Sequence, residues 1–332
     1  MTPRRLSNFE LCRIVAIICV TLVHSTFASL GHSVSFGVML LAGFSIIGVN
    51  VFVMLAGYFT ATPKKSSIIN LAFVCFFWMV VSLAFHYVFH QRIGYKLFFF
   101  ITRSNWFIPS YICLLFFAPL LNLFCDSVDK KTLWTLTFIL LSLEVWFDWV
   151  PPQPSYTLGT NGGHSVLSFL ILYLLARTIR LHGLPDWFKR ISPFVYVCCS
   201  FLLAFGGMAL LNHGYEYRIG WFFYDNNPIV ILSSVAFLMS FERMKFDSPF
   251  VNYIARSTLA VLLGHSAIFF LFTKQFKYLY DHFHGFEIIV YWIVAVFVVF
   301  TASILIDQLR MLLWKPIDNW LKNHIKTDRI IQ

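Results

Sequence analysis

About ten long apolar runs follow one another along the chain, parted by short breaks rich in Pro, Gly, Asn and basic residues. They cover approximately 9–30, 36–59, 68–90, 106–124, 132–150, 165–182, 193–211, 228–242, 250–273 and 286–314. A membrane-spanning helix needs about 20 predominantly apolar residues, and most of these runs reach that length. The breaks carry turn chemistry: Thr62-Pro63-Lys64-Lys65, Pro151-Pro152-Gln153-Pro154, Gly159-Thr160-Asn161-Gly162-Gly163 and Asp225-Asn226-Asn227-Pro228. Composition closes off the soluble alternative. Only 12% of the 332 residues are charged, against about a quarter in soluble domains. So little charge cannot cover a water-facing surface. The sequence therefore predicts an all-α integral membrane protein, a bundle of about ten transmembrane helices forming one domain over residues 1–332 with no soluble domain.

The net charge of +10 does not point to nucleic acid, because the basic residues sit between apolar runs. With the N-terminus in the cytoplasm, 18 Lys and Arg fall on the inner side and 6 on the outer side, Arg256 being left uncounted near a span end. That excess predicts an N-in, C-in arrangement. The seven cysteines lie in or beside apolar runs. They read as small buried hydrophobes rather than a disulfide framework.

Ionisable side chains inside spans are costly and mark functional sites by default. The first span holds three: Glu10, Arg13 and His24. Eleven residues separate Arg13 from His24, which is about 20° past three full turns and about 16 Å along the axis. The two share one face. Glu10, three residues before Arg13, is placed to pair with it. Elsewhere, Asn50 either orients a ligand or bonds a neighbouring helix. His265 is either a second site imidazole or a packed core residue. Trp106 and Tyr111 offer faces for a sugar, or form part of an interfacial aromatic belt. Glu144 and Asp148, four apart, are candidates for sugar hydroxyls, or mark a solvated helix end, a reading that suits Asp148 better than Glu144. His282 and His284 have metal-like spacing, but no carboxylate–histidine constellation surrounds them, so no metal is expected.

Asn8-Phe9-Glu10-Leu11-Cys12-Arg13-Ile14, followed ten residues after Arg13 by His24, resembles the opening of the membrane-bound acyltransferase-3 family, especially members that modify bacterial surface polysaccharides. Asn50-Val51-Phe52-Val53-Met54-Leu55-Ala56-Gly57-Tyr58-Phe59 resembles the family's second span. Trp106-Phe107-Ile108-Pro109-Ser110-Tyr111, with Pro119-Leu120-Leu121, resembles its fourth. Tyr224-Asp225-Asn226-Asn227-Pro228 resembles the approach to its eighth, and Ser257 to His265 its ninth. The chain departs from the usual pattern at Ala56, Asn50, Asn105 and Gly264, where serine, aspartate, histidine and a bulkier residue are more common.

The resemblance implies transfer of an acyl group, most often acetyl, from cytoplasmic acyl-coenzyme A to a sugar hydroxyl of a surface or lipid-linked glycan, in the bacterial cytoplasmic membrane. Acetyl-CoA is then a donor substrate, with no permanently bound cofactor. Arg13, with Arg4, Arg5, Lys64 and Lys65 near it, suits donor phosphates. His24 either takes the acceptor's proton or accepts the acyl group itself. Glu10, Asn50 and His265 fall to orienting the donor. Trp106, Tyr111 and Glu144 fall to the acceptor. The competing class is a transporter or flippase of a glycan lipid. It predicts internal repeats and broken helices at matched positions, and the sequence shows neither.

Overall fold

A computed structural model describes residues 6–27, 35–90, 106–150, 159–269, 278, 282 and 286–324. Arg4, Arg5, Arg92, Lys96, Arg103, Lys274, Lys277, His284, Lys326, Arg329 and the Pro151–Pro154 turn, used above, lie outside the described residues. The described residues are helical, without a β-strand. In chain order the helices are α1 (Ser7–Phe27), α2 (Phe36–Ser45), α3 (Gly48–Tyr58), α4 (Lys65–Val88), α5 (Phe107–Ser127), α6 (Lys130–Glu144), α7 (Val166–His182), α8 (Asp186–Asn212), the short α9 (Ile219–Phe222), α10 (Pro228–Glu242), α11 (Pro249–Ile254), α12 (Thr258–Phe269) and α13 (Phe286–His324).

Among the described residues, six stretches are long and apolar enough to cross a membrane: Ser7–His24, Phe36–Tyr58, Lys65–Val88, Phe107–Ser127, Asp186–Asn212 and Ile289–His324. The other expected spans coincide with shorter or interrupted helices. α10, at 15 residues, rises about 22 Å, less than the ~30 Å hydrocarbon core.

Helix starts follow from local chemistry. Asp129 accepts the backbone N–H groups of Lys131 and Thr132 at 2.9 and 3.1 Å. Asn227 accepts that of Ile229 at 2.8 Å, and Pro228 fills the first helical position, where no N–H is needed. Ser248 and Pro249 open α11 in the same way.

Hydropathy misplaces two boundaries. α8 begins at Asp186 and runs through Pro193, and α13 continues through Pro316 to His324. Apolarity ends before helicity does, and both prolines are absorbed within the helices.

Two of the expected spans are interrupted. α2 and α3 are parted by a turn at Ile46–Ile47, and α11 and α12 by a 3-10 turn at Ala255–Ser257. At the first break the Ser45 hydroxyl donates to the Leu41 carbonyl at 2.6 Å, a back-bond that bends helices. Just beyond it, a Cβ on Gly48 would stand 2.6 Å from Val20 Cγ2 and 2.7 Å from the Ala16 carbonyl oxygen. Only glycine lets α3 approach α1 this closely.

α1 is the hub of the bundle. It packs against α2, α3, α10, α11, α12 and α13, and Cys12, Ala16 and Ile17 are fully enclosed. Its polar stripe therefore faces protein, not lipid. All seven cysteines are free thiols, five of them buried. Two of the expected inner-side cations are paired across helices: Arg177 with Asp126 at 2.6 Å and Lys189 with Glu242 at 3.1 Å.

Candidate active site

A cavity of about 270 Å³ opens beside the last turn of α1. Its walls come from Val20, Val23 and His24 of α1, from both sides of the α2–α3 break, from Trp106, from His164, and from the segment 220–225. The break thus lies where the wall must curve. The volume is just below the ~300 Å³ lower end for small-molecule pockets.

His24 is exposed to this cavity. Its ring stacks on that of His265 from α12, centroids 4.9 Å apart and planes 25° from parallel. His265 is buried, with Nδ1 2.6 Å from the Leu262 carbonyl oxygen. A carbonyl only accepts, so Nδ1 carries the proton and a neutral His265 keeps its lone pair on Nε2.

Opposite lies a feature the sequence reading did not assemble. His164 Nε2 stands 3.1 Å from Asp225 Oδ2, and Trp106 packs on the His164 ring at 4.3 Å. Asp225 is 3% exposed and is held from two sides. Its N–H donates to the Gly162 carbonyl at 3.0 Å, and its carbonyl accepts from Asn50 Nδ2 at 2.8 Å. The loop must press against it: a Cβ on Gly163 would lie 2.6 Å from that of Asp225, and Gly163 has φ +94°. Burial of the imidazole pulls its pKa down. The hydrogen bond and charge of Asp225, with the charge of Asp148, outweigh that and hold it above the ordinary histidine value.

Asp148 anchors the same loop from a π-helical turn, Val145–Trp149, that extends α6. Its Oδ2 accepts from Thr160 Oγ1 at 2.7 Å, the Gly162 N–H at 2.6 Å and Asn226 Nδ2 at 2.7 Å. π-turns recur at functional sites. Among the described residues, Asn50 Oδ1, Asn226 Oδ1 and Glu144 Oε2 are buried without a hydrogen-bond partner. Buried orphans of this kind call for water or ligand.

Of the residues singled out in sequence, His24, His265 and Trp106 meet at the cavity, and Asn50 supports it through Asp225. Arg13 does not line it. Arg13 pairs with Glu10 at 2.7 Å, three turns back along α1. Tyr111 does not line the cavity either; its ring stacks on that of Phe107, one turn away on α5, and its phenol lies in the field of the Arg13 guanidinium. Glu144 is 2% exposed, one turn from Asp148 and behind the cavity wall. The histidine and aspartate that face His24 were legible only as members of two turn segments, the loop Gly159–His164 and Tyr224–Pro228. The signal that marks them is glycine pairs and Asn-Pro next to a lone His and Asp.

The acyltransferase-3 family model, described as an acyltransferase domain, matches residues 6–308. The chain belongs to the acyltransferase-3 family. It is a multi-pass membrane acyltransferase, and the match takes in α1, the cavity and every residue named at it. No curated protein and no solved structure matches the chain.

Proposed function

We propose that this acyltransferase carries an acetyl group from acetyl-CoA, bound at the Arg13 end of α1, to a sugar hydroxyl of a surface or lipid-linked glycan that enters at the His24 end. The observation that carries the reading is the single stripe on α1: a guanidinium paired with Glu10 at one level, and about 16 Å along an imidazole exposed in a half-open cavity. Coenzyme A is a phosphate-bearing head on a long thin arm, and that spacing suits phosphates at Arg13 and the thioester at His24. Lys64 and Lys65 add positive charge at the start of α4. Trp106, beside the cavity, offers a face for the sugar ring.

The orientation that fits a cytoplasmic donor is N-in and C-in, in a bacterial cytoplasmic membrane, as the excess of inner-side cations supports. In a cysteine-free background, a cysteine at position 13 then reacts only with thiol reagents supplied from the cytoplasm. Labelling of that position only from outside would invert the topology and remove the cytoplasmic-donor reading.

The deciding experiment is ester analysis of surface glycans from a deletion strain carrying wild type or His24→Ala. The wild type restores the mass of one acetyl group per modified sugar. His24→Ala, accumulated to the same level, loses acetylation by about 10²- to 10⁴-fold. An acetyl content equal to wild type would reduce His24 to a packing residue.

A further inference from the structure

We propose that the His164–Asp225 pair is the base that deprotonates the acceptor hydroxyl. The inference rests on the acyl-transfer reading and assigns one step within it.

The geometry is that of a carboxylate-oriented imidazole. Asp225 accepts from Nε2–H of His164 at 3.1 Å. Pinning the proton on Nε2 leaves the Nδ1 lone pair as the basic site. Nδ1 has no partner among the described residues, and the His164 side chain is 39% exposed on a cavity wall. Trp106 packs on its face and limits its rotation. Asp225 is itself clamped by Gly162 and Asn50, so the pair is built on both sides. His24 lacks this equipment. It stacks on His265, and no hydrogen bond fixes its ring among the described residues. The two imidazoles line one cavity, close enough for His164 and Asp225 to act electrostatically on His24. That leaves His24 on the donor side and His164 on the acceptor side.

In the step, the acceptor O–H bond breaks and its proton passes to His164 Nδ1. The oxygen forms a bond to the acyl carbon. The carbon–sulfur bond breaks with its electron pair on sulfur, and the imidazolium returns the proton to that thiolate. Ester and coenzyme A thiol are the products, and the pair ends as it began. The raised pKa caused by Asp225 makes the neutral ring a stronger base near working pH.

The test uses membranes of the native host with radiolabelled acetyl-CoA, reading alkali-labile label in the endogenous glycan. Wild-type membranes that transfer no label would defeat the acyl-transfer reading itself. Given wild-type transfer, His164→Ala and His164→Gln are each expected to lower kcat by at least about 100-fold, with KM for acetyl-CoA within about twofold of wild type. Gln keeps a donor for Asp225 but has no base, so it separates chemistry from architecture. A Gln variant with more than a tenth of wild-type kcat, or a loss carried by KM, overturns the proposal. A third readout does not depend on either variant accumulating. The ionisable groups facing His164 are Asp225, Asp148, His24 and Tyr224, whose ring meets that of His164 edge-on. Asp225→Asn is expected to shift the acid limb of the kcat/KM profile to lower pH, and an unmoved limb overturns the assignment.

Discussion

Asp148→Ala is expected to cost more stability than any other single truncation near the cavity. One buried carboxyl oxygen receives three donors, from Thr160, Gly162 and Asn226, all within 2.7 Å. Hydrogen bonds to a charged group contribute about 1.5–3 kcal/mol each. Three of them sum to roughly 4–9 kcal/mol on that principle. Because they share one atom and one loop, they are not additive. Each buried donor left unsatisfied costs about 1–3 kcal/mol, so about 3–5 kcal/mol for this non-additive set of three is the better figure. Set against a total of about 5–15 kcal/mol, that is a large share, and at 1.4 kcal/mol per decade it shifts the folding equilibrium by about 10²- to 4 × 10³-fold. Asp148→Asn keeps one accepting oxygen and loses the charge assistance, which roughly doubles a bond's strength, so it should fall between. The assay is thermal melting of the purified protein in mild detergent, with membrane accumulation alongside. An Asp148→Ala protein that melts with wild type would show that the loop holds without its anchor, and the account of how His164 is positioned would fail.

Gly48→Ala places a methyl 2.6 Å from Val20 Cγ2 and 2.7 Å from the Ala16 backbone oxygen; overpacking of about 1–3 kcal/mol should lower the melting temperature, and an unchanged melt would mean that α1 and α3 are free to part. Arg13→Ala should weaken acetyl-CoA binding, and Arg13→Lys should not restore it fully, because an ammonium cannot reproduce the guanidinium fork on phosphate; equal affinity in a binding titration removes Arg13 from the donor site. The His164 pKa is raised on folding, so its pairing with Asp225 stabilises the fold fully below the unfolded value near 6.5, and that contribution is lost as pH rises through the higher folded value. The melting-temperature difference between wild type and His164→Gln should therefore shrink from pH 6 to pH 8, and a difference that grows over that range would reverse the sign.

What was readable in the sequence was whatever a single helix carries. Arg13, Glu10 and His24 lie on one helix, so periodicity alone puts them on one stripe, and the pair at i, i+3 forms as expected. The starts at Asn227-Pro228 and Ser248-Pro249 are likewise local. What joins distant segments was not readable. His164 and Asp225 sit in turns that α7, α8 and α9 separate in the chain, and nothing local says that they meet. Tyr111 shares the outer end of its span with Trp106 in the sequence, yet Trp106 lines the cavity and Tyr111, about one turn inward on α5, stacks on Phe107 instead. Hydropathy also saw α2 and α3 as one run, since the residues at the break, Ile46 and Ile47, are as apolar as their neighbours. The interruption comes from Ser45 and Gly48 through hydrogen bonding and close packing, which an apolarity average does not register.

The three donors gathered by Asp148 also set an order of events during synthesis. The carboxyl leaves the ribosome at the end of α6, before Thr160 and Gly162 exist and long before Asn226 follows behind α7, α8 and α9. An aspartate at the centre of an inserting helix costs about 2.5–3.5 kcal/mol on insertion scales, and Glu144 one turn earlier adds a second acidic group. Until its partners arrive, the last turn of α6 is better solvated at the membrane–water boundary than sunk among lipids. The turn is then expected to settle only once the segment carrying Asn226 docks and completes the set of three donors on the carboxyl.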